Sequence, residues 1–164
     1  MDAAYANDRP PRDATFVRRL REAGAILIAK ANLGEMGTPN SRSSFGGPFC
    51  NPYDTERSPG TSSGGSGASV AANLVMCSIC EQGSASCKGP ASRNNIVSLL
   101  TTKGIMMHGG MNSQRVGDRA GIHCRTVGDA VQVLDAIKGF ESSDMFTAIP
   151  EAFIPKEPFT SFVV

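Results

Sequence analysis

Short apolar runs alternate with turn-forming segments along the chain, and the spacing of the apolar positions predicts the elements. In "ATFVRRLREA", Phe16, Val17 and Leu20 fall on one helical face, with Asp13 placed as N-cap and Gly24 as the stop. "AILIAK", residues 25–30, follows at once and predicts a short buried strand. From residue 32 to 60 the text is rich in Gly, Pro, Asn and Ser, which predicts a long ordered loop or series of turns. "GGSGASVAANLVM" then predicts a helix opening at Ser66 or Gly67, whose small residues allow close approach to its neighbours. "LVMCSIC" leads into a second strand, "GSASCKGPASRNN" reads as a small-residue loop, and "IVSLLTT" predicts a third strand. The clearest helix is "RTVGDAVQVLDAIKG". Thr126 is its N-cap, Asp129 stands three residues on as in a capping box, and Gly139 ends it. Val127, Val131, Leu134 and Ile137 form its apolar stripe. The closing "AIPEAFIPKEPFTSFVV" combines three prolines with aromatics that read as exposed. Helices alternating with short apolar strands predict an α/β fold.

Composition narrows the function without naming it. At 164 residues the chain fits one domain, residues 1–164, with a core large enough for stability. A net charge of +1 supplies no basic field, which argues against nucleic acid as a partner. No apolar run approaches the roughly 18 residues of a membrane span, and no membrane association is expected. The N-terminal "MDAAYANDRPPRD" lacks a charged-then-apolar secretory pattern, so a cytoplasmic protein is the default. Five cysteines, an odd number without an export signal, do not predict a disulfide framework. Cys77 and Cys80 form one C-x-x-C, but no second pair follows at zinc-ribbon spacing. They read as buried thiols, and no metal is expected.

The densest chemistry lies in "SPGTSSGGSGAS", residues 58–69, with five serines and four glycines. A linker should separate two independent segments, whereas this one runs straight into an apolar stretch. A P-loop would need Lys and Ser/Thr where Ser66 and Gly67 stand. "GTSSG" puts Ser62 at the nucleophile position of a G-x-S-x-G elbow, but the preceding "NPYDTERSP" is polar and turn-like rather than a strand. His108 and His123 could serve such a serine as base, yet neither lies in an acid–histidine pattern and both read as surface or structural. Serines and glycines that merely line tight turns are the bland alternative.

Taken together with "EQGSASCKGPASRNNIVSLLTTKG", the stretch resembles the signature region of the amidase signature family. The family carries Gly-Gly-Ser-Ser-Gly-Gly-Ser followed by Asp-Thr-Gly-Gly-Ser-Ile-Arg-x-Pro. The matched serines, 62 and 86, are 24 positions apart as that pattern requires. "RPPRDATFVRRLREAGAILIAKANLGEMG" and "RTVGDAVQVLDAIKGF" resemble the flanking family segments in the right order. The resemblance implies a partial amidase-signature-type fold, a mixed sheet with flanking helices. It also implies hydrolysis of carbon–nitrogen amide bonds by a Ser–cis-Ser–Lys triad acting on a small-molecule amide, without a cofactor. Carried over by position, Ser86 is the nucleophile and Ser62, on a cis peptide bond, relays its proton. Gly83, Ser84 and Ala85 supply the oxyanion hole, and Ser63 borders the substrate.

Three departures qualify that inheritance. The family's lysine belongs to a Gly-x-Pro-x-x-x-Lys-Asp segment upstream of the helix matched by "DATFVRRLREA", so the triad base is expected to be absent from this chain. Lys88 and Lys30 are candidate replacements. The family's Gly-Gly is Ser84-Ala85, which adds side chains to a loop whose backbone must face substrate. Its Arg is Lys88, which cannot make a bidentate guanidinium contact. A non-catalytic amidase-like module, binding or partner-dependent, is the alternative function. Exposed sheet edges of an incomplete domain are expected to favour self-association.

Overall fold

The main sheet is built around a central strand that the hydrophobic pattern does not announce. The computed structural model describes residues 2–106, 109, 111, 117–149 and 153–163; His108 and residues 150–152 of the closing segment lie outside that description. Cys77–Gln82 (β1), Val97–Leu100 (β2) and Arg119–Cys124 (β3) form one sheet in the order β1-β3-β2. β3 is antiparallel to both neighbours, with Cys80 opposite Gly121 and Ser98 opposite His123. Over the described residues the sheet is therefore antiparallel, where the resemblance implied a mixed one; the α/β class stands.

Among the described residues four α-helices complete the framework: Thr15–Glu22 (α1), Gly64–Ala71 (α2), Lys88–Arg93 (α3) and Val127–Ile137 (α4). α4 covers one sheet face, where Ala130, Val133, Leu134 and Ile137 cluster with Ala120, Ile122 and Cys124. α2 and α3 lie on the other side of β1 and β3: Ser66 Oγ donates to the Ile79 carbonyl at 3.0 Å, and the His123 ring reaches the Cys87 carbonyl. Because β3 is buried on both faces, its residues need not alternate, and Arg119 and His123 hide it further.

Local chemistry accounts for the element ends. Thr126 Oγ1 accepts from the Asp129 amide at 3.1 Å, the expected α4 cap, and Gly139 follows with φ of 122°. Val131, Leu134 and Ile137 are buried as the stripe predicted, whereas Val127 is exposed in the first turn. α1 begins at Thr15 behind Ala14, not at an Asp13 cap; Asp13 pairs instead with Arg21 at 3.1 Å. α2 starts at Gly64, two residues before the expected opening. Arg125 Nη1 donates to the Val70 carbonyl in its last turn at 3.2 Å, adding a side-chain donor to the one it receives from the Asn73 amide.

Two further expectations need correction. "GSASCKGPASRNN" is not a continuous loop, because residues 88–93 form α3. Pro90 sits in its first turn, where the missing amide has no helical partner to lose. "AILIAK" is not a buried strand: residues 25–30 have no strand assignment and are all exposed, with Ile26 at 86% and Ile28 at 72%. The closing segment is tied down by Asp135, which accepts from the amides of Phe159 (2.8 Å) and Thr160 (3.0 Å) and pairs with Lys138. Burial alone would raise the Asp135 pKa, but these donors outweigh it and hold it at about 2.

Candidate active site

The serine–glycine stretch makes the turn that enters α2, and its backbone is fixed from three sides. Gly60 has φ of 88°, and a Cβ there would come within 2.8 Å of the Pro90 nitrogen, so only glycine fits. Asn94 Nδ2, wholly buried, donates to Pro59 O at 2.6 Å and Pro90 O at 2.8 Å, joining the end of α3 to the start of the stretch. Gly65 packs so closely on the Asn32 backbone that a side chain there would overlap it. Asn32 in turn accepts from Ser43 Oγ at 2.6 Å and donates to Gly47 O at 3.1 Å, which orders the long Gly/Pro/Asn loop.

Within this frame the sequence-predicted serines come together. The Thr61–Ser62 peptide bond is cis. The Ser62 carbonyl accepts from Gly34 N at 2.8 Å, and the Ser63 amide donates to the Ser86 carbonyl at 3.2 Å. Ser62 and Ser63 are buried, and Ser86 is half-buried. Ser63 Oγ is turned toward β1, within 3.3 Å of both the amide and the carbonyl of Glu81. That contact anchors α2 to the sheet and engages the hydroxyl expected to border substrate.

Gln82 organises the other side, and sequence reasoning passed over it. Its buried Oε1 accepts from Cys87 N at 3.1 Å and Lys88 N at 3.0 Å, so the chain turns sharply between β1 and α3. Gly83, Ser84 and Ala85 are left exposed on the outside of that turn. Neither Ser84 nor Ala85 has a positive φ, so the loop accommodates both side chains without a left-handed residue. Gly83 lies against the Asp118 carboxylate, a neighbour that no local motif could have revealed.

The cysteines depart most from expectation. Cys80 and Cys87 form a disulfide, with Cα atoms 5.7 Å apart. β1 brings Cys80 and the start of α3 brings Cys87 to the same face, whereas Cys77 points to the opposite one, where it meets Cys124. The two thiols face each other across the strands, and their interaction lowers the Cys77 pKa and, with burial, raises that of Cys124. His123 is fully buried behind the disulfide, its Nε2 3.1 Å from the Cys87 carbonyl. Desolvation pulls its pKa down to about 4, against a smaller opposing effect of that bond, so the ring is neutral near pH 7. Its role is structural, and it is not directed at a serine hydroxyl. Lys88 opens α3 and Lys30 sits in the 25–30 segment; both are exposed. A depression of about 410 Å³ is lined by Phe49, Cys50 and Arg57 among others and includes none of the three serines.

The chain belongs to the amidase family: the family model for Amidase matches residues 3–161. It is 38% identical to a probable amidase of Arabidopsis thaliana over 159 residues, 93% of this chain and 31% of that protein. It is 43% identical to a glutamyl-tRNA(Gln) amidotransferase subunit of Gloeobacter violaceus over 141 residues, 84% of this chain and 29% of the relative. Among solved structures it superposes on the native peptide amidase of Stenotrophomonas maltophilia with a TM-score of 0.87 and 34% identity, covering 98% of this chain and 34% of that one. The chain thus spans about a third of the length of the relatives it matches.

Proposed function

We propose that the chain carries the nucleophile and proton-relay serines of an amide hydrolase. The observation that supports this best is the junction of the two signature segments. The Ser63 amide bonds the Ser86 carbonyl, the buried Ser62 abuts that junction, and residues Gly83–Ala85 are exposed just before Ser86. Ser86 Oγ attacks the amide carbonyl while its proton passes through Ser62 to a base. The oxyanion that forms is held by backbone amides of residues 83–85. Collapse expels the amine, which takes the proton back along the same path, and water then hydrolyses the acyl-Ser86 ester. Small-molecule amides are the substrate class; the relatives described as a probable amidase and a peptide amidase support it.

A fluorophosphonate probe and a panel of aryl amides test the reading together. Labelling of Ser86, lost in Ser86→Ala and slowed by about 10²-fold or more in Ser62→Ala, is the expected result for a nucleophile and its relay. Labelling at Ser62 with Ser86 untouched would overturn it in favour of an elbow serine. The base is best sought outside residues 30 and 88, since both lysines are exposed. Lys88→Ala and Lys30→Ala are therefore expected to leave the labelling rate within about twofold, and loss in either would assign that lysine as the replacement base. One observation favours a second, non-catalytic reading. Ile26 and Ile28 are exposed to an extent suited to a partner-dependent module, which predicts amide binding or complex formation without turnover.

A further inference from the structure

The eight residues from Cys80 to Cys87 contain the whole candidate oxyanion loop and its serine, and their two ends are joined by the disulfide. Three observations make this more than a general staple. First, the ring closed by the bond is small, with a sequence separation of 7, so the constraint acts on this loop and on little else. Second, both cysteines are buried, at 3% and 0% exposure, while the residues between them at 83–85 are exposed, so the bond is the inner anchor of an outward-facing loop. Third, the seat for the sulfurs is built. A Cβ at Gly121 would stand 2.8 Å from Cys80 Sγ and 3.1 Å from Cys87 Sγ, and a ring nitrogen of His123 lies within 4.8 Å of both sulfurs. The strand opposite Cys80 thus leaves room where any side chain would collide.

We propose that Cys80–Cys87 is a thiol–disulfide modification site that positions the candidate nucleophile loop, holding it in the oxidised form and releasing it in the reduced one. Reduction by a thiol such as dithiothreitol balances simply. Two electrons enter the S–S bond, which breaks; each sulfur takes one proton; and the reductant closes to its own cyclic disulfide. Oxidised glutathione reverses the step, giving back the protein disulfide and two molecules of reduced glutathione. After reduction the loop is held by hydrogen bonds alone: those of Gln82 to Cys87 N and Lys88 N, that of the Ser63 amide to the Ser86 carbonyl, and the Gly89–Ala85 backbone bond among them. Since both sulfurs are covered, exchange proceeds through opening of the exposed 83–85 segment, so the loop's own mobility sets the rate. Cys80 and Cys87 are positioning residues, because neither touches the reacting atoms. The catalytic consequence rests on the reading of Ser86 as nucleophile; the redox site does not.

The test uses the whole chain, air-oxidised, reduced with dithiothreitol, and reoxidised with oxidised glutathione. Alkylation after unfolding without reductant should modify Cys50, Cys77 and Cys124 but not Cys80 and Cys87. Hydrogen exchange should then speed up by about tenfold or more at the amides of Cys87, Lys88 and Gly89 on reduction, stay unchanged in β3, and return on reoxidation. Cys80→Ser/Cys87→Ser should match the reduced state and ignore the reductant. Where Ser86 reacts with a fluorophosphonate, its rate should shift with the same reversibility. An unlabelled Ser86 together with redox-dependent exchange would sink the hydrolase reading and leave this one standing. Full alkylation of Cys80 and Cys87 in untreated protein, or exchange indifferent to reductant, would overturn the proposal. So would loss of protection across β3, which marks a plain structural staple, and so would stoichiometric zinc uptake by the reduced protein that restores loop protection, which marks a Cys–Cys–His metal site.

Discussion

Gln82 Oε1 accepts from two successive amides while itself buried, and no other side chain among those described does this at the turn. Removing it strands the amides of Cys87 and Lys88 in a half-dry setting, where each lost acceptor costs about 1–3 kcal/mol. Gln82→Ala is therefore expected to lower unfolding free energy by about 2–4 kcal/mol in urea, with exchange at those amides rising before global unfolding. His123 makes a separate claim at this scale. Its folded pKa of about 4 lies below the ordinary value of 6.5, so the unfolded chain takes up the proton first as pH falls. Stability is thus unaffected by this residue above about pH 6.5, declines between there and pH 4, and levels below it. The loss is on the order of 3 kcal/mol. Urea unfolding across that range should show the slope in the wild type and a flatter one in His123→Asn.

At the scale of elements, legibility depends on whether an element carries its own instructions. α4 does: its cap, its stripe and its stop are local, and all but Val127 sit as the pattern predicts. Thr126→Ala should cost about 1 kcal/mol by losing the bond to the Asp129 amide, and Thr126→Ser should restore most of it; thermal unfolding measures both. α3 carries almost none. Its six residues sit in a run of Gly, Ser, Ala and Pro that reads as a loop, and the Gln82 bonds that start it come from another element. β3 escapes the pattern for the opposite reason, because burial on both faces removes the alternation by which a strand is recognised.

For the whole molecule, the segment at residues 25–30 is the main unmet demand. Three adjacent apolar side chains, Ile26, Leu27 and Ile28, lie in solvent with no strand beside them among the described residues. Such a run favours association. The double variant Ile26→Lys/Ile28→Lys should shift a concentration-dependent oligomer toward monomer on size exclusion, with the thermal midpoint unchanged because the positions are exposed. A wild type that stays monomeric throughout would count against self-association through this segment. No helix among the described residues is long and apolar enough to cross a membrane.

The sequence by itself determined the family and the order of the signature segments, and it singled out Ser62 and Ser86 as the pair to test, because these rest on spacing along one chain. Tertiary structure decided which side chains stand around them. Gln82, Asn32 and Asn94 act through hydrogen bonds across as many as 35 positions, and the Cys80–Cys87 bond depends on a strand face meeting a helix start. "AILIAK" makes the same point from the other side. Its apolar pattern encodes a strand, but a strand exists only where a neighbour supplies the other half of each hydrogen bond.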